Sequence, residues 1–344
     1  MIDDIEIQEI DTLIATAKEA QAEYEADGSQ EVFDLACQAV GWALMQPENN
    51  NELSELAVME TGLGNVRDKI QKNHNKTLGL LRDIKNVKSF GHIYDDNEKG
   101  LSIYFRPKGV VAAIVPSTNP LATPTNNIIN ALKTGNSIII APSPKGAGPF
   151  SILLKHIRKN LEDAGINPNL VQMVPTPPSK SKTKRLMELA DLLVVTGSQN
   201  NVRAGYSSGT PALGVGQGNV VTILDETADL NDAAKKIVKS KTFDNATSCS
   251  SENSVIAVRS IYKETLVALE SAGGLVLDED ETKRVINLHW QDGKMNTALL
   301  AQNIDVILDK TGLAHRADEN TRFLILPTTK VGPSAVISGE KMSQ

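Results

Sequence analysis

Two cysteines and five histidines are the side chains of this sequence best suited to act as nucleophile, base or metal ligand. Cys37 and Cys249 lie far apart with no Cys-x-x-Cys spacing, so they read as reduced thiols and not as a disulfide framework. Cys37 falls in Glu31-Val-Phe-Asp-Leu-Ala-Cys-Gln-Ala-Val-Gly-Trp, where apolar residues recur three and four apart. A free cysteine on such a stripe packs as a small hydrophobe. Cys249 differs. It lies in Phe243-Asp-Asn-Ala-Thr-Ser-Cys-Ser-Ser-Glu-Asn, a polar stretch without helical or strand period, just before the apolar run Val255-Ile-Ala-Val. A thiol in a loop held by a strand is where a nucleophile is expected, because backbone amides there favour the thiolate. An inert loop cysteine fits the local sequence equally well. His74, His92, His156, His289 and His315 form no His-Glu-x-x-His pair and no Cys/His finger spacing, so no metal site is expected.

Three glycine-bearing strings invite a chemical reading. Gly205-Tyr-Ser-Ser-Gly fits the pattern of a serine-hydrolase elbow, which needs a strand before the serine and a helix after it. Here a short helical pattern precedes and Thr210-Pro follows, so the match fails. Gly214-Val-Gly-Gln-Gly-Asn resembles a dinucleotide fingerprint, yet the strand Val220-Val-Thr-Ile-Leu stands where a helix should open. It reads as a Gly-rich loop bringing backbone close to something flat or reactive. Thr196-Gly-Ser-Gln-Asn-Asn follows a buried strand and opens a helix, so its free backbone N–H groups can face a phosphate. An ordinary strand–helix turn satisfies the same residues.

The elements that must position these residues follow from apolar periodicity. Residues from about Asp4 to Lys85 read as several helices, with Ile5, Ile10, Leu13 and Ile14 on one face and Leu53, Leu56, Ala57 and Met59 on another, broken at Thr61-Gly-Leu-Gly-Asn. Gly91-His-Ile-Tyr and Leu101-Ser-Ile-Tyr-Phe flank a polar turn, a hairpin signal that fits an assembly arm or an edge hairpin. From Gly109 to Thr196, strands and helices alternate. Repeated βαβ units imply a parallel sheet covered on both faces, with ligands at the carboxyl ends of its strands. That puts Pro116-Ser-Thr-Asn-Pro, Ala141-Pro-Ser-Pro and Thr196-Gly-Ser on one rim. A second unit begins after Leu224, with helices near 231–239, 263–271 and 281–288 and a strand at Phe323-Leu-Ile-Leu.

The composition excludes several classes. The 344 residues include 35 Lys+Arg and 42 Asp+Glu, a net charge of −7, with 40% hydrophobic and 22% charged residues. An acidic balance speaks against a nucleic-acid face. No run approaches the ~20 apolar residues of a membrane span, and Met1-Ile-Asp-Asp-Ile-Glu lacks a secretory start. A cytoplasmic enzyme with no nucleic-acid or membrane partner is expected, and about two domains at ~150 residues each.

Taken together, Pro116-Ser-Thr-Asn-Pro, Tyr206-Ser-Ser-Gly-Thr-Pro-Ala-Leu-Gly-Val-Gly-Gln-Gly-Asn and Ser240-Lys-Thr-Phe-Asp-Asn, followed by the cysteine, resemble the aldehyde dehydrogenase superfamily and its coenzyme-A-acylating branch. Within that branch, Lys72-Asn-His-Asn-Lys-Thr and Asn245-Ala-Thr-Ser-Cys-Ser-Ser-Glu-Asn-Ser are most similar to acylating sulfoacetaldehyde dehydrogenases, with acetaldehyde and succinate-semialdehyde enzymes as near relatives. The resemblance implies an α/β fold: a Rossmann-type parallel-sheet cofactor domain (N-terminal helices 1–87, then 108–224), an oligomerisation hairpin at 88–107, and a second α/β catalytic domain at 225–344.

It further implies Cys249 as nucleophile and Asn119 as oxyanion donor beside the backbone N–H of Cys249. Ser143, Thr196, Gly197, Ser198, Gly216 and Glu340 would serve the cofactor, NAD or NADP, with coenzyme A as co-substrate and a homo-oligomer, dimer or tetramer, as the assembly. Hydrolytic relatives carry a general-base Glu where this chain has Gly214, which fits a thiol acceptor, and a Lys where it has Ala141, which leaves the choice of NAD or NADP open. Full-length relatives continue beyond the segment resembling Glu340-Lys-Met-Ser, so the catalytic domain is expected to be C-terminally incomplete. A truncated, non-catalytic remnant is the competing expectation.

Overall fold

The apolar stripes of the first 85 residues fold as four helices: α1 (Ile2–Ala26), α2 (Gln30–Met45), α3 (Pro47–Thr61) and α4 (Val66–Ile84). Helix α2 starts where Ser29 caps it by accepting from the Val32 N–H, and it buries Phe33, Ala36, Cys37 and Val40. Ile5 and Met59, expected on apolar faces, are instead 62% and 74% exposed. The buried stripe of α1 runs through Ile10, Ile14 and Ala17, one turn beyond Ile5, and that of α3 through Leu53, Ala57 and Thr61, which turns Met59 to the opposite side. The computed structural model describes residues 2–332 and 334–344. Its chain divides into two units, Met1–Thr61 with Lys69–Gly216 and Gly62–Asp68 with Gln217–Gln344.

In the first unit, β1 (Gly91–Asp96) and β2 (Leu101–Phe105) form an antiparallel hairpin. The alternating stretch then gives β3 (Val110–Val115), α5 (Ala122–Lys133), β4 (Ser137–Pro142), α6 (Ala147–Asp163), β5 (Val171–Met173), α7 (Lys180–Leu189), β6 (Leu192–Thr196), α8 (Gln199–Tyr206) and β7 (Ala212–Val215). These strands make one parallel sheet in the order β5-β4-β3-β6-β7. Every residue of β3 and β4 is buried, as continuous apolar strands covered on both faces must be.

Alternate residues of β3 enter two separate cores. Val111, Ala113 and Val115 pack with Ile128, Ile129 and Leu132 of α5. Val110, Ala112 and Ile114 pack with Leu186 of α7 and Val202 of α8. The sheet therefore grows outward from β3 in both directions, and the helices leaving β3 and β6 depart on opposite faces. That divergence opens a crevice at the carboxyl ends of the two strands. One difference from the sequence reading concerns Gly214 and Val215. They lie in β7, paired with Val195 and Thr196, so the Gly-rich loop begins only at Gly216.

The second unit holds β8 (Val220–Leu224), α9 (Leu230–Thr242), β9 (Glu252–Ala257), α10 (Tyr262–Ser271), β10 (Gly274–Val276), α11 (Glu279–His289), β11 (Trp290–Gln291), β12 (Lys294–Met295), α12 (Ile304–Thr311) and β13 (Phe323–Ile325). β8 pairs in parallel with β9, β10 in parallel with β13, and β11 antiparallel with β12. Asp229 caps α9, and Asp278 with Glu281 forms a capping box on α11. Ala234, Ile237, Ala268, Leu269 and Phe323 close the core beneath β9.

Candidate active site

The first unit gathers six of the expected residues on the carboxyl rim of its sheet. Asn119 sits half-buried in the turn between β3 and α5. Ser143 follows β4, where its N–H donates to the Val115 carbonyl at 3.2 Å. Its Oγ is buried with no hydrogen-bond partner. Thr196 ends β6, the Gly197 N–H donates to the Val215 carbonyl at 3.1 Å, and Ser198 Oγ caps α8 by accepting from the Asn201 N–H at 3.3 Å. Gly216 follows β7. An orphaned hydroxyl on the rim of a switch-point crevice needs a polar partner from outside the chain, and the residues present fit a dinucleotide there.

Gly214 places no side chain on this rim. Its N–H donates to Tyr206 Oη at 3.0 Å, and a Cβ at that position would stand 2.8 Å from both the Tyr206 ring and Val202. A side chain there would have to shift the exposed Tyr206 ring and Val202, and glycine itself brings no carboxylate to activate water.

The second unit carries the thiol. Cys249 is exposed, in the loop between the turn Phe243–Ala246 and β9. Cys37, by contrast, is 2% exposed, its Sγ donates to the Ile129 carbonyl at 3.3 Å, and burial pushes its pKa up to about 12. Exposure thus leaves Cys249 open to a reactant and Cys37 closed to one. Gly218 lies against Cys249, and its backbone N–H is near enough to the Glu340 carboxyl to favour the charged form. Burial raises the Glu340 pKa, while that N–H and the charge of Lys241 pull it back. Cys249 and Glu340 are therefore both neighbours of one glycine.

The backbone ahead of the thiol is unusual. Asp244 (φ 50°, ψ 38°), Asn245 (φ 52°, ψ 40°) and Ala246 (φ 61°) are three successive non-glycine residues in the left-handed region. Asp244 is fully buried. Its N–H donates to Asp68 Oδ2 at 2.7 Å, its Oδ1 accepts the Asn65 N–H at 3.0 Å, and its Oδ2 accepts the Thr247 hydroxyl. Asn245 Nδ2 donates to the Ala301 carbonyl at 3.2 Å and to Asn303 Oδ1 at 2.9 Å, and its Oδ1 accepts from Gln344 Nε2 at 3.1 Å. Sequence reasoning used Phe243-Asp-Asn only as part of a resemblance. The available signal was Asp and Asn, the residues that most readily enter the left-handed region, side by side just ahead of the cysteine.

Residues 2–274 match the aldehyde dehydrogenase family. The chain belongs to that family. The acylating sulfoacetaldehyde dehydrogenase of Cupriavidus necator is 50% identical over 331 residues, which cover 96% of this chain and 67% of the relative. The chain spans about two thirds of the length of the sulfoacetaldehyde dehydrogenases it matches. Among solved structures, an acetylating aldehyde dehydrogenase from Geobacillus thermoglucosidasius superposes with a TM-score of 0.93 at 33% identity, covering 100% of this chain and 75% of that one. A propionaldehyde dehydrogenase from Rhodopseudomonas palustris, solved with bound CoA and an acylated cysteine, gives a TM-score of 0.82 at 26% identity over 95% of this chain and 73% of that one. The expected family and the α/β fold with a parallel sheet are borne out. Among the described residues, no helix is long and apolar enough to cross a membrane.

Proposed function

We propose that this chain oxidises a small aldehyde to its coenzyme A thioester, with sulfoacetaldehyde as the aldehyde and NAD or NADP as hydride acceptor. The observation that carries the reading is the exposed Cys249 packed against Gly218, in a chain half-identical to an acylating sulfoacetaldehyde dehydrogenase. The Cys249 thiolate adds to the carbonyl carbon, and the π pair moves onto oxygen. The Cys249 backbone N–H and the Asn119 amide are the donors for this oxyanion, a role worth ~3–4 kcal/mol per donor in a well-studied protease.

Bound NAD(P)+ supplies the hydride acceptor, with Ser143, Thr196, Gly197, Ser198 and Gly216 as its contacts on the sheet rim and Glu340 as a further contact. As the oxyanion collapses, hydride leaves the thiohemiacetal carbon and a thioester remains on Cys249. The thiolate of coenzyme A attacks that thioester, takes the acyl group and releases the Cys249 thiolate. A thiol is a few per cent ionised at neutral pH and needs no strong base. A glycine and not a carboxylate at position 214 therefore favours thiolysis over hydrolysis.

We also propose a cytoplasmic homo-oligomer, dimer or tetramer. Two unpaired cysteines suit a reducing compartment. The hairpin of β1 and β2 exposes Tyr94, Leu101, Tyr104 and Phe105, an apolar surface that suits a second copy of the chain. The test of the reaction is NAD(P)H formation with sulfoacetaldehyde, acetaldehyde and succinate semialdehyde, with and without coenzyme A, in the native chain and in Cys249→Ala. Turnover that needs both coenzyme A and Cys249, fastest with sulfoacetaldehyde, is expected. Turnover without coenzyme A, or its survival in Cys249→Ala, overturns the reading.

A further inference from the structure

We infer that Asp244 is a positioning residue for Cys249, acting through the left-handed turn Asp244–Ala246 and the Thr247 hydroxyl. The inference rests on the proposed role of Cys249 as nucleophile and deepens it.

Three consecutive residues bearing a Cβ do not enter the left-handed region without compensation, because Cβ crowds the following carbonyl. Such strain persists where the surroundings over-determine it. Here they do. The Asp244 carboxylate accepts the Asn65 N–H on Oδ1 and the Thr247 hydroxyl on Oδ2, while its own N–H is fixed by Asp68. The Thr247 N–H also donates to the Asp244 carbonyl at 3.1 Å, so side chain and backbone tie the same two residues together. Asn245 is anchored in turn to Ala301, Asn303 and Gln344, and Asn65 Nδ2 also donates to its Oδ1 at 3.5 Å.

Thr247 stands two residues before Cys249, and past the thiol the Ser251 N–H donates back to the Ser248 carbonyl at 3.0 Å. The thiol thus projects from a short span fixed at both ends. Asp244 is fully buried and Cys249 exposed, so the carboxylate acts on the thiol through the turn and not by contact with substrate. Misplacing a reacting atom by about 1 Å costs on the order of a hundredfold in rate.

The experiment compares Asp244→Asn, Thr247→Val and Thr247→Ser in the full chain. Each is scored for thermal stability, for kcat and KM, and for the rate and pH profile of Cys249 alkylation by iodoacetamide. Cys37 is buried, so native-state alkylation reports Cys249. Thr247→Val is expected to stay folded, to lose roughly 10- to 100-fold in kcat with KM little changed, and to shift the alkylation rate. Thr247→Ser, which keeps the hydroxyl, is expected to restore both. If Asp244→Asn unfolds the chain, the two Thr247 variants still decide. Folded Thr247→Val with unchanged kcat and alkylation overturns the inference. If Cys249→Ala retains turnover, the proposed reaction falls, whereas the alkylation series still reads whether the turn governs the thiol.

Discussion

Gly218 and Cys249 touch so closely that no side chain fits between them: a Cβ on Gly218 would lie 2.5 Å from the Cys249 carbonyl oxygen and 3.0 Å from its Cβ. The backbone N–H of the same glycine favours the charged form of Glu340. Gly218→Ala must therefore displace backbone that carries the thiol. Its kcat is expected to fall at least about tenfold, with slower iodoacetamide alkylation, on the scale that misplaced reacting groups cost. Gly79→Ala is the matched control, since open space surrounds that helical position and the change should stabilise α4 by about 0.5–1 kcal/mol without touching the rate. Equal kinetics in both variants would remove Gly218 from the site.

The two thiols should behave as two populations. Native protein is expected to release one equivalent of thionitrobenzoate promptly and a second only on unfolding, because Cys249 is exposed and Cys37 buried with its pKa pushed up to about 12. Cys249→Ala should lose the prompt equivalent and keep its melting temperature. Two prompt equivalents would contradict the packing of α2.

Asn119→Ala tests the second oxyanion donor. Removing such a donor costs about 100- to 1,000-fold in kcat in a protease precedent. The same scale is expected here, with KM for the aldehyde changed far less. A pure KM effect would instead make Asn119 a substrate-binding residue.

Lys241 gives a pH-dependent stability. It lines a cavity of about 220 Å3 in the second unit, and its Nζ is buried with no hydrogen-bond partner. Burial, then the nearby charge of Lys341, pulls its pKa down to about 7, against the opposing pull of Glu252 and Glu340. Below pH 7 the lysine is charged in both folded and unfolded chains, so folding bears the whole cost of burying the charge. Between about 7 and the ordinary lysine value near ~10.4, only the unfolded chain holds the proton, and that cost fades as pH rises. Lys241→Met should therefore raise the melting temperature most at pH 6 and least at pH 10. A gain independent of pH would place the effect in packing.

Most of the first unit was legible because its signals are local. Continuous apolar runs at 110–115 and 137–142 can only be buried strands, and the glycines and prolines that end them mark the rim. Asn119 and Ser143 follow such strands and Thr196 ends a third, so the sequence alone puts them on a shared rim. The second unit was less so. β10 and the hairpin of β11 and β12 are two or three residues long, too short for a period, and the eight-residue α12 offers barely two turns. Gly214 and Val215 read as loop because glycine is rare in strands, yet pairing with β6 overrides that preference. Asp244 escaped for another reason. Its partners Asn65 and Asp68 lie far upstream, and nothing local announces a contact at that range.

That distance has a consequence for how the chain is divided. Asn65 and Asp68 reach Asp244 across 179 and 176 positions of sequence, so the thiol-bearing loop is stitched from both ends of the polypeptide. Excising residues 217–344 as a free-standing piece would take the Asn65 donor from the buried Asp244 carboxylate and the Asp68 acceptor from the Asp244 N–H, at about 1–3 kcal/mol for each group left unsatisfied. The support of the Cys249 loop thus depends on a segment far from it in sequence, and a piece that lacks residues 65–68 lacks part of what holds the thiol.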